Sequence, residues 1–303
     1  MMLLWLIPLL ILLLLLGGSY YFARILIYPN TRSYEKSLET AIEDGFLTET
    51  GWEALPKEPV SIRSPFGYDL HGYFLPNGSA QRTVIVSHGI TQNLVASIKY
   101  AQVFLNLGFN ALIYDHRNHG KSGGQDTTFG YYEADDLRTA IDWLQENKPG
   151  TELIGIHGES MGAAIGLLAA AEDDRVAFVV ADCGYASLYD QLADRLRIDY
   201  HLPAFPLVPL VLLWSRLLTG MQVDPIEPEQ AIRRITAPVL IVHGEQDAYV
   251  DPSHARRLAL ADQKNPRPLW MAPDADHAKA LVTNREAYQV EVARFLREHE
   301  LAG

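Results

Sequence analysis

The chain has 303 residues, 48% of them hydrophobic and 20% charged, and a formal net charge of −12. That length and apolar content admit one large α/β domain with a full core, while the acidic balance excludes a nucleic-acid surface, which needs clustered Lys and Arg. A single cysteine, Cys183, excludes an internal disulfide framework and leaves the redox compartment open.

In chain order the first element is apolar. Residues 1–23 carry no charged side chain before Arg24, and about 20 apolar residues suffice to cross a bilayer as a helix. Tyr20, Tyr21 and Phe22 beside Arg24 match an interfacial belt. The stretch is therefore expected to be an uncleaved single-pass anchor; a cleaved signal peptide is the competing reading, weakened because no Lys or Arg precedes the apolar run. Arg24, Arg32 and Lys36 follow the span, which favours a cytoplasmic domain, but Glu35, Glu39 and Glu43 are interspersed and leave the side of the membrane open. Residues 24–56 read as a membrane-proximal linker with some helical pattern over 37–46.

From residue 57 onward strand-like and helix-like runs alternate. Strands are expected at 60–63, 69–74, 83–87, 111–115, 152–157, 177–182, 239–243 and 269–272, and helices at 98–107, 132–146, 161–171, 253–260 and 287–299. This alternation predicts a mostly parallel sheet covered on both faces, with the first two strands as an antiparallel edge hairpin. Residues 185–236 are too long for a simple crossover and are expected to form a helical lid insertion. Within it, the apolar, proline-punctuated stretch from Pro203 to Trp214 is the expected substrate-binding region, unless it merely packs on the core.

The chemistry is carried by Gly158-Glu159-Ser160-Met161-Gly162, set between the apolar runs Leu153–Ile156 and Ala163–Ala170. A strand turning sharply into a helix strains the serine backbone and thrusts its hydroxyl outward; the flanking glycines let strand and helix approach. A serine nucleophile needs a base and an orienting acid. Asp247 follows the apolar run 239–242 and His277 follows 269–272, so both are expected at the sheet edge where Ser160 emerges. Asp251 and Asp182 are rivals for the acid, and Asp274 and Asp276 flank the base. His254 and His299 are expected on solvated helix surfaces. The oxyanion amides are expected from Met161 and, after the run 83–87, from Ile90, with Gly89 letting that loop close in. Cys183 is better read as a buried thiol than as a nucleophile. His116, His119 and Asp115 are better explained by a turn than by a metal site, and no metal or cofactor is implied.

Over about residues 58–300 the chain resembles the α/β-hydrolase superfamily. The resemblance rests on Ser87-His88-Gly89, the turn Asp115-His116-Arg117-Asn118-His119-Gly120-Lys121-Ser122, the Ser160 elbow, His243-Gly244-Glu245-Gln246-Asp247 and Asp276-His277. More narrowly it is similar to bacterial membrane-anchored hydrolases grouped with serine aminopeptidase-like and prolyl-oligopeptidase-like domains. The resemblance implies Ser160, Asp247 and His277 as a triad, with Ile90 and Met161 as the oxyanion hole. Asn118 stands where related chains often have glycine, a position that Asn tolerates in left-handed backbone, and Asp276 replaces a small residue before the histidine. The expected activity is cleavage of carboxylic esters, of acylglycerol or lysolipid type, with a peptidase or thioesterase as enzyme alternatives and a silent binding protein as the non-enzyme one.

Overall fold

Period-two burial builds the sheet. The computed structural model describes residues 2–222 and 226–301; Met1, residues 223–225 inside the expected lid, and residues 302–303 lie outside the described residues. The strands are β1 (Glu58–Arg63), β2 (Asp69–Leu75), β3 (Arg82–Ser87), β4 (Asn110–Tyr114), β5 (Leu153–Glu159), β6 (Val176–Asp182), β7 (Val239–Gly244) and β8 (Leu269–Ala272). They order as β1-β2-β4-β3-β5-β6-β7-β8, with β2 antiparallel to both β1 and β4 and all other pairs parallel. Ile85, Leu112, Ile156, Val179 and Ile241 point to one buried face. Val84, Val86, Ile113, Val180 and Val242 point to the other. Two faces each closed by apolar side chains explain why the central strands read as continuous apolar runs.

The helices are α1 (Met2–Ile27), α2 (Tyr34–Glu43), α3 (Gly51–Ala54), α4 (Ile98–Asn106), α5 (Glu133–Asn147), α6 (Met161–Ala170), α7 (Leu188–Tyr200), α8 (Ala204–Thr219), α9 (Pro228–Ala231), α10 (Ser253–Ala259), α11 (Ala280–Thr283) and α12 (Arg285–Glu298). Helix α5 buries Leu137, Ala140, Ile141 and Leu144, and α12 buries Tyr288, Val292, Phe295 and Leu296. Both sets follow the helical repeat that lays one stripe on the sheet. Helix α6 is buried on all sides, as an element apolar all round must be.

Two expectations change. The apolar N-terminal helix does not end at residue 23: it runs to Ile27, and Ser19, Ala23 and Ile27, one turn apart, are fully buried against the rest of the protein. Residues 24–56 are likewise not a free linker. Ser33 caps α2, the Asn93 side chain donates to Arg32 O and Ser37 Oγ, and Tyr34 donates to buried Asp115. The expected lid region is indeed helical: α7 and α8 meet at a bend of 120°, and the short α9 follows.

The chain crosses itself most closely at the Ser160 turn. A Cβ on Gly162 would sit inside the Ser87 carbonyl, and one on Gly158 inside the Gly162 carbonyl. Backbone cannot retreat as a side-chain tip can. Gly162→Ala is expected to lower unfolding stability by about 1–3 kcal/mol through this overpacking, measured by denaturant titration against Gly150→Ala, whose Cβ meets nothing within 4 Å.

Candidate active site

Parallel pairing brings the carboxyl ends of β3, β5, β6, β7 and β8 to one edge, and the chemistry gathers there. Ser160 follows β5 with φ 56° and ψ −114°, at the N-terminus of α6. Its amide donates to Asp182 O at 2.8 Å, which fixes the strained turn to the neighbouring strand. This is backbone that a non-glycine residue rarely adopts, held because its surroundings over-determine it.

His277 Nε2 lies 3.0 Å from Ser160 Oγ, and His277 Nδ1 lies 2.8 Å from Asp247 Oδ2. Ser160, His277 and Asp247 thus form one hydrogen-bonded chain, contributed by the loops after β5, β8 and β7. Asp247 Oδ1 accepts from the amides of Tyr249 and Val250 at 2.9 and 2.8 Å. Burial works against the Asp247 carboxylate, but hydrogen bonds from His243 and His277 outweigh it and hold its pKa well below the usual range. The carboxylate therefore stays ionised at neutral pH and can fix the tautomer of His277.

The rivals are elsewhere. Asp251 Oδ1 accepts from the Ser253 amide at the start of α10, and Asp182 accepts from Tyr288 beneath the turn. Asp276 Oδ1 takes the amides of His277 and Ala248, tying the histidine loop to the Asp247 loop, while Asp274 accepts from Gln246. His254 corrects an expectation: it is buried, not solvated, and its Nδ1 accepts from the Ala186 amide at 3.0 Å. Cys183 is buried, with its thiol pushed well up by burial and neighbouring carboxylates. Its sulfur lies within 4.8 Å of ligand atoms of Asp247 and His277; a protonated thiol is a poor metal ligand, and those two groups already bond one another.

Ile90 and Met161 face the same space as Ser160. Met161 opens α6, so its amide has no acceptor within the helix, and Ile90 donates no backbone hydrogen bond among the described residues. Gly89 lies against the Ser160 side chain. Buried histidines brace this loop: His88 Nε2 accepts from the His116 amide at 3.0 Å, and His116 Nε2 meets Ser87 Oγ at 2.9 Å. Asn118 has φ 60°, as its place in the turn requires, and Gly120 packs on Asp115 where no Cβ would fit.

Three positions were not foreseen as part of the site. His243, at the end of β7, gives Asp247 a second imidazole at 3.2 Å. Lys99 is largely buried on α4; its Nζ reaches Glu159 Oε2 at 2.7 Å and donates to Ala278 O at 3.1 Å. Its pKa is pulled down by burial but raised overall by Glu159, and Glu159 is lowered overall by Lys99 against its own burial. The pair stays charged and joins the serine turn to the histidine loop. A lone lysine in the apolar pattern Ile98-Lys99-Tyr100 was the available signal. Third, the cavity of about 280 Å³ beside Ser160 is walled by α7, through Leu188 and Leu192, and not by the stretch Pro203 to Trp214. That stretch is α8, which stands one helix further out.

With this geometry established, likenesses to known proteins can be placed. A family model of the alpha/beta hydrolase fold matches residues 82–202. The Bacillus subtilis (strain 168) protein YqkD, uncharacterized itself, is 37% identical over 277 residues, covering 91% of this chain and 90% of its own. The chain belongs to the α/β-hydrolase superfamily. The Pyrococcus furiosus esterase Pf2001 superposes with a TM-score of 0.70 at 28% identity, over 83% of this chain and 94% of that one. Monoglyceride lipase of Mus musculus is 25% identical over 251 residues, covering 72% of this chain and 81% of the lipase.

Two outcomes follow. Lys99→Met removes the cation opposite the buried Glu159 carboxylate, leaving it only the Tyr100 hydroxyl, and is expected to cost about 3–5 kcal/mol of stability and, through a displaced histidine loop, about 10- to 100-fold in kcat. Adding Glu159→Gln is expected to restore much of the stability but not kcat; recovery of both would show the lysine to be purely structural. Separately, His157, stacked on Tyr100 and bonded to Tyr288, is pushed down to about 3, chiefly by burial. The unfolded chain then takes up the proton first, so this contribution is complete above about pH 6.5 and lost as pH falls toward 3. Relative to His157→Gln, the wild type is expected to lose up to about 1.4 kcal/mol more per pH unit in that window, read from unfolding titrations across it.

Proposed function

We propose that the protein is a serine hydrolase that cleaves carboxylic esters through an acyl-enzyme. The observation that carries this reading is the Ser160–His277–Asp247 relay, with separations of 3.0 and 2.8 Å, opening onto an apolar cavity. His277 takes the Ser160 proton as Oγ attacks the ester carbonyl, and Asp247 stabilises the imidazolium. The Ile90 and Met161 amides bind the tetrahedral oxyanion, the alcohol leaves with the proton from His277, and water then releases the acid.

The site has two sides. The acyl side, lined by Ile90, Phe129, Met161 and Tyr185, is apolar. A second opening of about 340 Å³, reaching Ser160 from Gln92, Glu159 and His277, is more hydrophilic and suits the leaving alcohol. An apolar acid joined to a polar alcohol describes an acylglycerol or lysolipid, a class to which the monoglyceride lipase likeness also points. Helices α7 and α8 act as the lid, and the apolar helix, of which Leu6–Ile27 is long enough to span a bilayer, serves as anchor.

The test uses the full chain in detergent micelles with p-nitrophenyl esters of graded acyl length and, in parallel, aminoacyl anilides. Ester hydrolysis is expected, with Ser160→Ala removing it and abolishing fluorophosphonate labelling. Asp247→Asn is expected to lower kcat by about 10³- to 10⁴-fold, as loss of the tautomer-fixing acid does in serine proteases. Cleavage of anilides alone would reassign the protein as a peptidase; a folded sample that neither turns over nor labels would make it a binding protein.

A further inference from the structure

The cavity beside Ser160 is incomplete without the N-terminal helix. Ile25 and Leu26 of α1, with Pro29 just beyond it, line the same space as Ser160 and Met161. Ile25, Leu26, Leu192, Arg195 and Tyr249 also line a second cavity of about 170 Å³, so the two are neighbours along α1. The second cavity continues to Phe22 on α1 and to Val208 and Val211 on α8. Together the two have the size of a site for a small ligand, for which roughly 300–1,000 Å³ is usual. The walls are mainly aliphatic and aromatic, with Asn30, Thr91 and Asp199 at their margins. Two polar side chains of α7 are held in part by the Tyr249 loop: Gln191 Nε2 donates to Tyr249 O, and the Arg195 guanidinium lies over the Tyr249 ring while donating to Ala248 O, with Gln191 Oε1 and Arg195 Nη2 left buried and unpaired. Their methylene stems are left to the lining.

Helix α1 is held where a wall must be held. Ala23 and Ile27 are fully buried, and Tyr20 packs edge-on against Trp214, as Phe22 does against Tyr200. Ile27 O accepts from the Thr127 amide at 2.8 Å, and the Arg32 amide donates to Thr91 O at 2.7 Å, next to the proposed oxyanion residue Ile90. We infer that α1 forms one wall of the acyl-binding site, and that the acyl chain of the ester runs from Ser160 along Ile25 and Phe22, between α1, α7 and α8. This deepens the ester-hydrolase reading and rests on it.

The same geometry names the source of the chain. The stretch of α1 long and apolar enough to cross a bilayer is Leu6–Ile27, and its residues 6–14 are exposed along their whole length. From Leu15 onward the helix packs on α7 and α8. A bilayer crossed by α1 therefore takes in part of the α1–α8 contact, where Leu213 and Leu217 of α8 are exposed. The far end of the cavity then opens at the depth of lipid chains.

The experiment uses the full chain in phosphatidylcholine nanodiscs. Ile25→Trp and Leu192→Trp, which fill the cavity from opposite walls, are expected to lower the ratio of palmitate to butyrate ester hydrolysis by about 10- to 100-fold. Leu14→Trp, on the exposed part of α1, should match the wild type on both. An unchanged ratio in both filled variants would overturn the inference. Because a tryptophan can unfold the cap, a milder substitution is paired with it: the thiol introduced by Ile25→Cys, with wild-type Cys183 buried, is titrated with maleimide. Prior labelling of Ser160 by a hexadecyl fluorophosphonate should protect that thiol, and an ethyl fluorophosphonate should not. Equal reactivity after both labels would refute the wall. Absence of ester hydrolysis in the wild type would instead remove the reading beneath it.

Discussion

Everything at this site hangs on one crowded turn. Between β5 and α6 the backbone passes through φ 56° at Ser160, and the cost of that conformation, of order 1–3 kcal/mol, must be met by its surroundings. Gly158 and Gly162 permit a backbone contact that a methyl group would prevent. The amide of Ser160 is satisfied by Asp182 O, and all ten residues of α6 are buried. A helix apolar on every side cannot slide toward solvent, so the serine stays at its first turn. Parallel pairing does the rest, because it delivers the ends of β7 and β8, with Asp247 and His277 just beyond them, to the same edge.

Under that turn the protein keeps charges where a hydrophobic layer would be simpler. Lys99, largely buried, pairs with buried Glu159 beside Asp182, Tyr100, Tyr288 and His157. A buried ion pair is weak support for stability, since its desolvation offsets much of its attraction. What it provides here is direction. Lys99 has one bond to the residue preceding Ser160 and another to the carbonyl following His277, so two loops far apart in sequence share one cation. Asp276 makes an analogous tie between the His277 and Asp247 loops. The relay is thus framed by polar contacts that specify geometry, while the two apolar faces of the sheet supply the bulk of the folding free energy.

The strands and the Ser160, Asp247 and His277 positions were legible because each follows an apolar run short enough to be a buried strand, and such folds put their chemistry just past strand ends. Asn118 was legible for a local reason, a left-handed backbone position that its side chain tolerates. Tertiary partners were not. His254 follows a proline in a polar segment and reads as surface, yet Ala186 and α7 close over it. Pro203 to Trp214 is apolar enough to line a site, but an apolar helix reads alike whether it faces substrate, lipid or another helix. Lys99 left only a faint signal, a lysine set in an apolar run, and its partner Glu159 is distant in sequence.

The N-terminal helix exposes the same ambiguity in a more consequential form. Hydropathy reports only that a segment avoids water, and α1 satisfies that demand twice, by exposing residues 6–14 and by packing Ser19, Ala23 and Ile27 onto the domain. A helix committed only to lipid gains nothing from burying small residues on one stripe. Close approach through Ser and Ala is instead the pattern of helix packed on helix. The chain leaving α1 is then strapped by Arg32 to Thr91 and by Tyr34 to Asp115, the loops that shape the rim of the Ser160 site. The apolar helix, the helices packed on it and the rim are therefore one mechanical unit, and a cut after α1 would remove part of the proposed acyl wall.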